Sequence, residues 1–185
     1  MKGKYLIALA GTAALMASTA TMADVRAGST YVGGQYSWLT YDESGIDTDL
    51  KPTAIVARVG HFVVDHFAIE ARAGTGASDD TIHFGPFDVT GEIDNMFGLY
   101  GVGYLPLGDS PVSLYGLAGF TRAKATLSSN ALDFSESDSD SGFSYGIGIQ
   151  GQFTPQFSVN LEYTSYLDKS DYEVTSIGLG ANFHF

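Results

Sequence analysis

The chain has 185 residues, with 21 Asp and Glu against nine Lys and Arg, a formal net charge of −12, and no cysteine. So large an acidic surplus excludes electrostatic attraction to nucleic acid, and the lack of thiols excludes both a disulfide framework and thiol chemistry. Glycine (23), tyrosine (11) and phenylalanine (12) are abundant, which suits twisted strands with aromatic girdles better than helices.

Residues 1 to 23 have the order of a secretory signal peptide: Lys2 and Lys4 at the start, an apolar stretch from Tyr5 to Met16, then small and hydroxylic residues to Ala23. Cleavage is expected after Ala23, with Thr21 and Ala23 at the small positions and Ala20 as the second choice, so the mature domain would run from 24 to 185. The apolar stretch is about a dozen residues, too short for the roughly 20 that a membrane anchor needs. No later run is long enough to span a membrane as a helix.

Beyond a short lead-in, the first expected strand is Thr30 to Tyr41, with Tyr31, Gly33, Gln35, Ser37 and Leu39 alternating against Val32, Gly34, Tyr36, Trp38 and Thr40. Its facing is ambiguous in the sequence. Asp42 to Leu50 reads as a solvated acidic loop. Thr53 to Val63 places Ile55, Ala57 and Val59 opposite Arg58, and Val64-Asp65-His66 reads as a tight turn. In Phe67 to Ala77, the apolar Phe67, Ile69, Ala71 and Ala73 oppose Ala68, Glu70, Arg72 and Gly74. Two opposite charges therefore share one face of a strand.

Ser78 to Gly91 reads as a second long polar loop, and Glu92 to Leu105 as a strand turned by Pro106 to Pro111. Val112 to Leu127 carries Tyr115, Leu117 and Gly119 against Gly116, Ala118, Phe120, Arg122 and Lys124. Ser128 to Ser141 reads as the most acidic loop. Gly142 to Phe153 alternates Phe143, Tyr145, Ile147, Ile149 and Phe153 with Ser144, Gly146, Gly148, Gln150 and Gln152. After the short turn Thr154-Pro155-Gln156, Phe157, Val159, Leu161 and Tyr163 alternate with Ser158, Asn160, Glu162 and Thr164. Leu167 to Asp171 joins this to Tyr172 to Phe185, where Ile177, Leu179, Ala181, Phe183 and Phe185 fall on every second residue.

That period of two marks strands with one apolar face, and a chain ending on such a strand must pair it or leave an aggregation-prone edge. The sequence predicts eight antiparallel strands of about 10 to 14 residues, longer than the 5 or 6 usual in soluble proteins and enough to cross a bilayer at a tilt. Long polar connections alternate with tight turns. The expected fold is all-β, an eight-stranded antiparallel up-and-down transmembrane β-barrel with its apolar faces outward. A soluble exported sandwich or lipocalin-like binder would keep those faces inward, and the alternation permits it. The aromatic last residue and the charges opposite the apolar stripes favour the membrane facing.

The whole mature length resembles the small eight-stranded outer-membrane proteins of Gram-negative bacteria, of the OmpA transmembrane-domain and OmpX/Ail type. The ending Gly180-Ala181-Asn182-Phe183-His184-Phe185 is similar to the signal by which the barrel-assembly machinery recognises its clients, with Gly180, Phe183 and Phe185 as its marks. Gly178 departs from that pattern, which prefers a polar residue there. The resemblance implies a monomer in the cell outer membrane, in contact with outer-membrane lipids and lipopolysaccharide. It also implies a polar plug in the lumen.

Outward apolar faces would place Arg58, Glu70, Arg72, Arg122, Lys124 and Glu162 inside, where they are expected to pair in a salt-bridged network. A structural or surface-interaction role (adhesion or envelope integrity) follows, with an extracellular ligand met through the loops. A narrow channel is the alternative, against which the charges and Phe120 count. A lipid-modifying enzyme would need a site such as Ser78, Asp79, Asp80 and His83, but their spacing gives no nucleophile and base pair. No catalytic residue, cofactor or metal is expected; Asp138 to Gly142 has the flavour of a calcium loop but lacks its closing Glu, the position being Ile149. His184 is expected inside as a plug residue, His61 and His66 near a turn, and Tyr31, Tyr36, Trp38, Tyr100, Tyr104, Tyr115, Tyr145 and Tyr163 in the aromatic girdles.

Overall fold

A computed structural model of the protein describes residues 25–43, 52–78, 80–84, 87–129, 134–166 and 172–185. Residues 1 to 23, the expected signal peptide, lie outside the described residues, as do 44–51 and 167–171 of the expected loops. Nine strands are described: β1 (Thr30–Glu43), β2 (Thr53–Val64), β3 (Phe67–Ser78), β4 (Asp80–Phe84), β5 (Phe87–Pro106), β6 (Val112–Ser129), β7 (Phe134–Thr154), β8 (Phe157–Tyr166) and β9 (Tyr172–His184). All pairings are antiparallel, and the sheet order β3-β2-β1-β9-β8-β7-β6-β5 is closed by β3 pairing with β5. The result is an eight-stranded antiparallel barrel, with β4 hydrogen-bonded only to the start of β5 outside the ring. Among the described residues, no helix is long and apolar enough to cross a membrane.

Closure brings the start of β1 beside Phe185. The Thr30 amide donates to the Phe185 carbonyl at 3.0 Å, and the Phe185 amide donates to Thr30 at 2.9 Å. The lead-in is tied down as well: Gly28 N–H donates to Phe62 at 2.8 Å and His66 N–H to Val25 at 2.6 Å. Val25 to Thr30 and Phe185 therefore lie beside the tight turns. Those turns are short because their residues supply the needed backbone: His66 (φ 65°) reverses β2 into β3, and Gly108 (φ 61°) sits between β5 and β6.

Side-chain parity follows the pleat. Outward positions carry Phe143, Tyr145, Ile147, Ile149 and Phe153 on β7, with Ile147 69% and Phe153 72% exposed. This stretch of ten steps is about 33 Å long, or about 25 Å tall at a barrel tilt near 40°, the height of an outer-membrane apolar band. Phe67, Phe157, Phe183 and Phe185 ring its turn-side border, and Tyr36, Trp38, Phe97, Phe120, Phe143 and Tyr145 its far border; all are exposed. Inward positions carry polar, small or ring-bearing side chains: Gln35, Ser37, Arg58, Glu70, Arg72, Ser144, Asn160, Glu162, Thr164, Asn182 and His184 are buried.

Two expectations need correction. Tyr31, Tyr100, Tyr104 and Tyr115 do not join the girdles: they are buried in the lumen, because a phenol can pack by its ring and still bond by its hydroxyl. The polar stretches from Ser78 to Gly91 and from Ser128 to Ser141 are not simply loops. They hold β4, the first residues of β5, the end of β6 and the first eight residues of β7, since Ser and Asp residues are held in strand by pairing with β6 from Arg122↔Ser141 to Ser129↔Phe134. Asp138 to Gly142 is accordingly extended strand and cannot curl round a cation.

Two of the large inward side chains have glycine opposite them. A Cβ at Gly60 would fall within the Tyr31 ring, its partner across β1 and β2, and one at Gly148 within the Tyr115 ring, its partner across β6 and β7. At Gly103, which is outward, nothing lies within 4 Å of the same atom. Gly60→Val and Gly148→Val are therefore expected to destabilise the barrel by roughly 1–3 kcal/mol through overpacking. Gly103→Val should leave it within about 0.5 kcal/mol of the parent. Urea titration of the detergent-folded protein, followed by the shift in gel mobility between folded and unfolded forms, checks all three.

Candidate functional site

Midway along the lumen, four charged side chains from three strands meet. β2 supplies Arg58, β3 supplies Glu70 and Arg72, and β8 supplies Glu162. The strand order puts β8 four places from β3 in a ring of eight, so Glu162 stands on the opposite wall. Arg72 donates to Glu162 through Nη1 at 2.6 Å and Nη2 at 2.8 Å, and to Glu70 Oε1 through Nε at 2.6 Å. Arg58 donates through Nε and Nη2 to Glu70 Oε2 at 3.0 and 2.8 Å, and its Nη1 lies 3.7 Å from Glu162 Oε2. Two carboxylates and two guanidiniums thus cancel in charge, with Glu70 and Arg72 having no exposed side-chain surface.

Neutral groups fill the remaining bonding capacity. Tyr31 OH donates to Glu70, Tyr115 OH donates to Glu162 at 3.0 Å, and Thr164 Oγ1 donates to Glu162 at 2.8 Å. Gln35 accepts from Arg58 at 3.0 Å, and the Arg72 guanidinium lies 4.9 Å from the centre of the Tyr100 ring. This matters because a buried ion pair repays its desolvation only when its remaining lone pairs and protons are also bonded. Gly178, the departure from the terminal pattern, faces the lumen where a Cβ would strike the Gln35 side chain.

Both sides of the quartet are packed. Toward the turns, Tyr31, Phe62, Tyr104 and Tyr115 stack in sequence with centroids 5.9, 5.3 and 5.4 Å apart, and His184 lies 5.5 Å from Tyr31. His184 Nε2 meets Ser158 Oγ at 2.9 Å. Toward the other end lie Val56, Met96, Tyr100, Leu117 and Tyr166, all buried. The lumen is a core.

Of the six charges expected inside, Arg58, Glu70, Arg72 and Glu162 come together. Arg122 and Lys124 do not: both are exposed on the outward face of β6, and Lys124 Nζ lies 3.6 Å from Asp94 Oδ2. They share that face with Phe120, which is 69% exposed and points outward rather than into the lumen. On β6 the inward residues are Tyr115, Leu117, Gly119 and Thr121; the strand continues past the apolar band, so the outward face turns from aromatic to cationic without changing parity. The sequence reading missed Tyr31, Gln35, Tyr115 and Thr164 as partners of the quartet. Parity could have found Thr164, which alternates in phase with Glu162.

Asp79 and the side chains of Asp80 and His83 lie outside the described residues. His61 is exposed, with Nδ1 2.9 Å from Thr30 Oγ1, and His66 forms the β2–β3 turn. Among the described residues, no group of three or more His, Cys, Asp or Glu could hold a metal ion. At the closing strand, Gly180 faces inward, and Phe183 and Phe185 face outward.

A closed eight-stranded barrel with an apolar exterior and an ion-paired interior defines a class, the small transmembrane barrels of the Gram-negative outer membrane. The chain matches the outer membrane protein beta-barrel domain over residues 7–185, and it belongs to that family. Its fold is similar to that of Ail, the attachment invasion locus protein of Yersinia pestis, in complex with the heparin analogue sucrose octasulfate. The two share 21% identity over 86% of this chain and 99% of that one, with a TM-score of 0.63. Neisserial surface protein A gives 15%, 85%, 99% and 0.62, and OprG from Pseudomonas aeruginosa 13%, 89%, 99% and 0.60. No curated protein matches the chain.

Removing one member of the quartet leaves an uncompensated buried charge, so Glu162→Ala is expected to cost roughly 3–5 kcal/mol. Lys124→Ala breaks only an exposed pair and should cost less than about 1 kcal/mol. The midpoint of urea unfolding in micelles measures both.

Proposed function

We propose that this protein is a plugged, non-catalytic outer-membrane barrel that acts as a structural or surface-interaction element of the envelope, by adhesion or by maintaining envelope integrity. The observation that carries this reading is the Arg72–Glu162 pair, which ties opposite walls of the lumen together at 2.6 Å and leaves the work of the molecule to its ends. In this reading, residues 1 to 23 are removed on export. The barrel-assembly machinery recognises Gly180, Phe183 and Phe185, and the barrel works as a monomer, its ring having no free edge within the apolar band. The tight turns face the periplasm and the longer connections face outward, as is general for such barrels.

The outward end is strongly acidic. Segments 42–51, 79–94, 122–140 and 167–173 hold sixteen of the 21 Asp and Glu, against four Lys and Arg. An extracellular partner met through these loops would be cationic; a sulfated polyanion such as the ligand of the Ail complex would be repelled. The folded protein is therefore expected to pass through immobilised heparin and to be held on an immobilised polylysine surface at low salt. Because exposed charges are screened over about 8 Å at physiological ionic strength, that retention should fall steeply as salt is added.

Planar-bilayer recording tests the plug itself. The parent barrel is expected to give no steady single-channel current, whereas reproducible openings in the parent would replace this reading with that of a narrow pore.

A further inference from the structure

Some strands run on after the ring has ended. β3 pairs with β5 as far as Gly74↔Met96, and β8 with β7 as far as Ser165↔Tyr145. Beyond those positions β5, β6 and β7 go on pairing with one another, and β4 adds to β5. A four-stranded sheet in the order β4-β5-β6-β7 therefore leaves the barrel, and among the described residues no other strand pairs with it.

Strands alternate, so this sheet has two faces, and the register sorts its residues between them. One face continues the outward parity of Phe120 and is polar, with the rows Lys124↔Ser139, Thr126↔Ser137 and Thr90↔Ser128↔Ser135. The other continues the lumen-facing parity of Met96 and Ala123, across the register shift between Ile93 and Asn95. To that face belong Ile82, Val89, Ile93, Ala125 and Leu127, on β4, β5 and β6. Its border is acidic: on β7, Asp140 pairs with Ala123, Asp138 with Ala125 and Glu136 with Leu127. Each apolar position on β6 thus has a carboxylate-bearing residue beside it, one strand spacing of about 4.8 Å away.

An amphipathic sheet outside the bilayer is stable when a second layer packs on its apolar face. The chain's segments 42–51 and 167–173 are themselves acidic, with Asp42, Glu43, Asp47 and Asp49 in the first and Asp168, Asp171 and Glu173 in the second, so like charge sets them against the β7 border. The complementary cover is apolar along one side and cationic along the other. The face is about 14 Å across from β4 to β7 and about 20 Å long from Ala123 to Ser129. An α-helix about 10–12 Å wide fits it, and about 13 residues of helix run its length.

We infer that this face binds a cationic amphipathic helix presented from outside the cell, its apolar stripe along the rows of Ile93, Ala125 and Leu127 and its Lys or Arg side along Glu136, Asp138 and Asp140. The inference rests on the reading of an acidic outward end with a cationic partner, and it gives that partner a surface and a shape.

The test uses the folded, isotope-labelled barrel in nanodiscs of zwitterionic lipid, with the backbone amides from Ala123 to Ser129 followed by nuclear magnetic resonance. The probes are a synthetic Leu and Lys peptide of about 14 residues, with the two residue types on opposite sides of its helix, and the same composition in scrambled order. Partition of a peptide into the lipid is common to all the proteins compared. The parent is expected to show saturable shifts with the amphipathic peptide and an affinity roughly tenfold weaker for the scrambled one. Ile93→Ser/Leu127→Ser should weaken binding by roughly tenfold. Glu136→Gln/Asp138→Asn should weaken it by a similar factor of about ten at low salt and remove most of its salt dependence. Thr126→Val, on the other face, should leave it unchanged. Equal binding by the parent and both double variants would overturn the inference, as would equal binding of the two peptides. So would movement of the same amides before any peptide is added, either on Ile46→Ser/Leu50→Ser, which would put the chain's own segment 44–51 on the face, or on raising protein concentration, which would put a second copy there. The cationic-partner reading fails separately, when immobilised polylysine does not hold the parent; retention on polylysine without preference for the amphipathic order overturns this inference alone.

Discussion

The structure depends on the need to neutralise charge inside a closed ring. An eight-stranded barrel encloses a space that side chains just fill, and its strands can face lipid only if their polar positions face one another. Arg58, Glu70, Arg72 and Glu162 satisfy that requirement as a unit. Arg72 cannot bond to Glu162 until β3 and β8, on opposite walls and ninety residues apart in sequence, stand at the correct height. The quartet is therefore a register constraint as well as a source of cohesion. A slip of one residue in either strand would turn a charge toward hydrocarbon, where it costs several kcal/mol.

Around that centre, size is distributed by pairing large inward groups with glycine. Tyr31 lies over Gly60, Tyr115 over Gly148, and the Gln35 side chain crosses Gly178. This helps a narrow ring to hold five tyrosines, two arginines and two glutamates, because at these positions the neighbouring strand contributes backbone only. The glycines that looked like a general mark of twisted strands are, at these positions, space reserved for named partners. The same pairing links packing to electrostatics, since Tyr31 and Tyr115 deliver to Glu70 and Glu162 the hydroxyl protons that complete the network.

Much of this was legible before the structure. Period-two alternation gave the strands, Asp65-His66 and Pro155-Gln156 gave turns, and the charges opposite Ile69 and Leu161 gave the inward face of β3 and β8. The facing of Arg122 and Lys124 was not legible, because alternation separates two faces without saying where along a strand the lipid ends. Phe120 and Arg122 share a face, and only the height of the apolar band distinguishes a residue in hydrocarbon from one at the headgroups. The inward tyrosines were misread because the residue is amphipathic and suits an interface or a plugged lumen equally. The extension of β7 through Ser135 to Ser141 was hidden for a different reason. Its Ser and Asp residues have turn-like propensities, and pairing with β6, a non-local interaction, overrides them.

The central claim is the division of each strand into a lipid face and a plugged face, and the absence of cysteine allows it to be measured directly. Single cysteines placed one at a time from position 143 to 153 on β7, spin-labelled in the bilayer-inserted barrel, report whether oxygen dissolved in lipid or a water-soluble relaxer reaches each site. The account predicts access to oxygen at the odd positions and, at Ser144, Gln150 and Gln152, little access to either reagent. Strong access of the water-soluble relaxer along the even series would contradict it, showing an open aqueous lumen where a packed core is described.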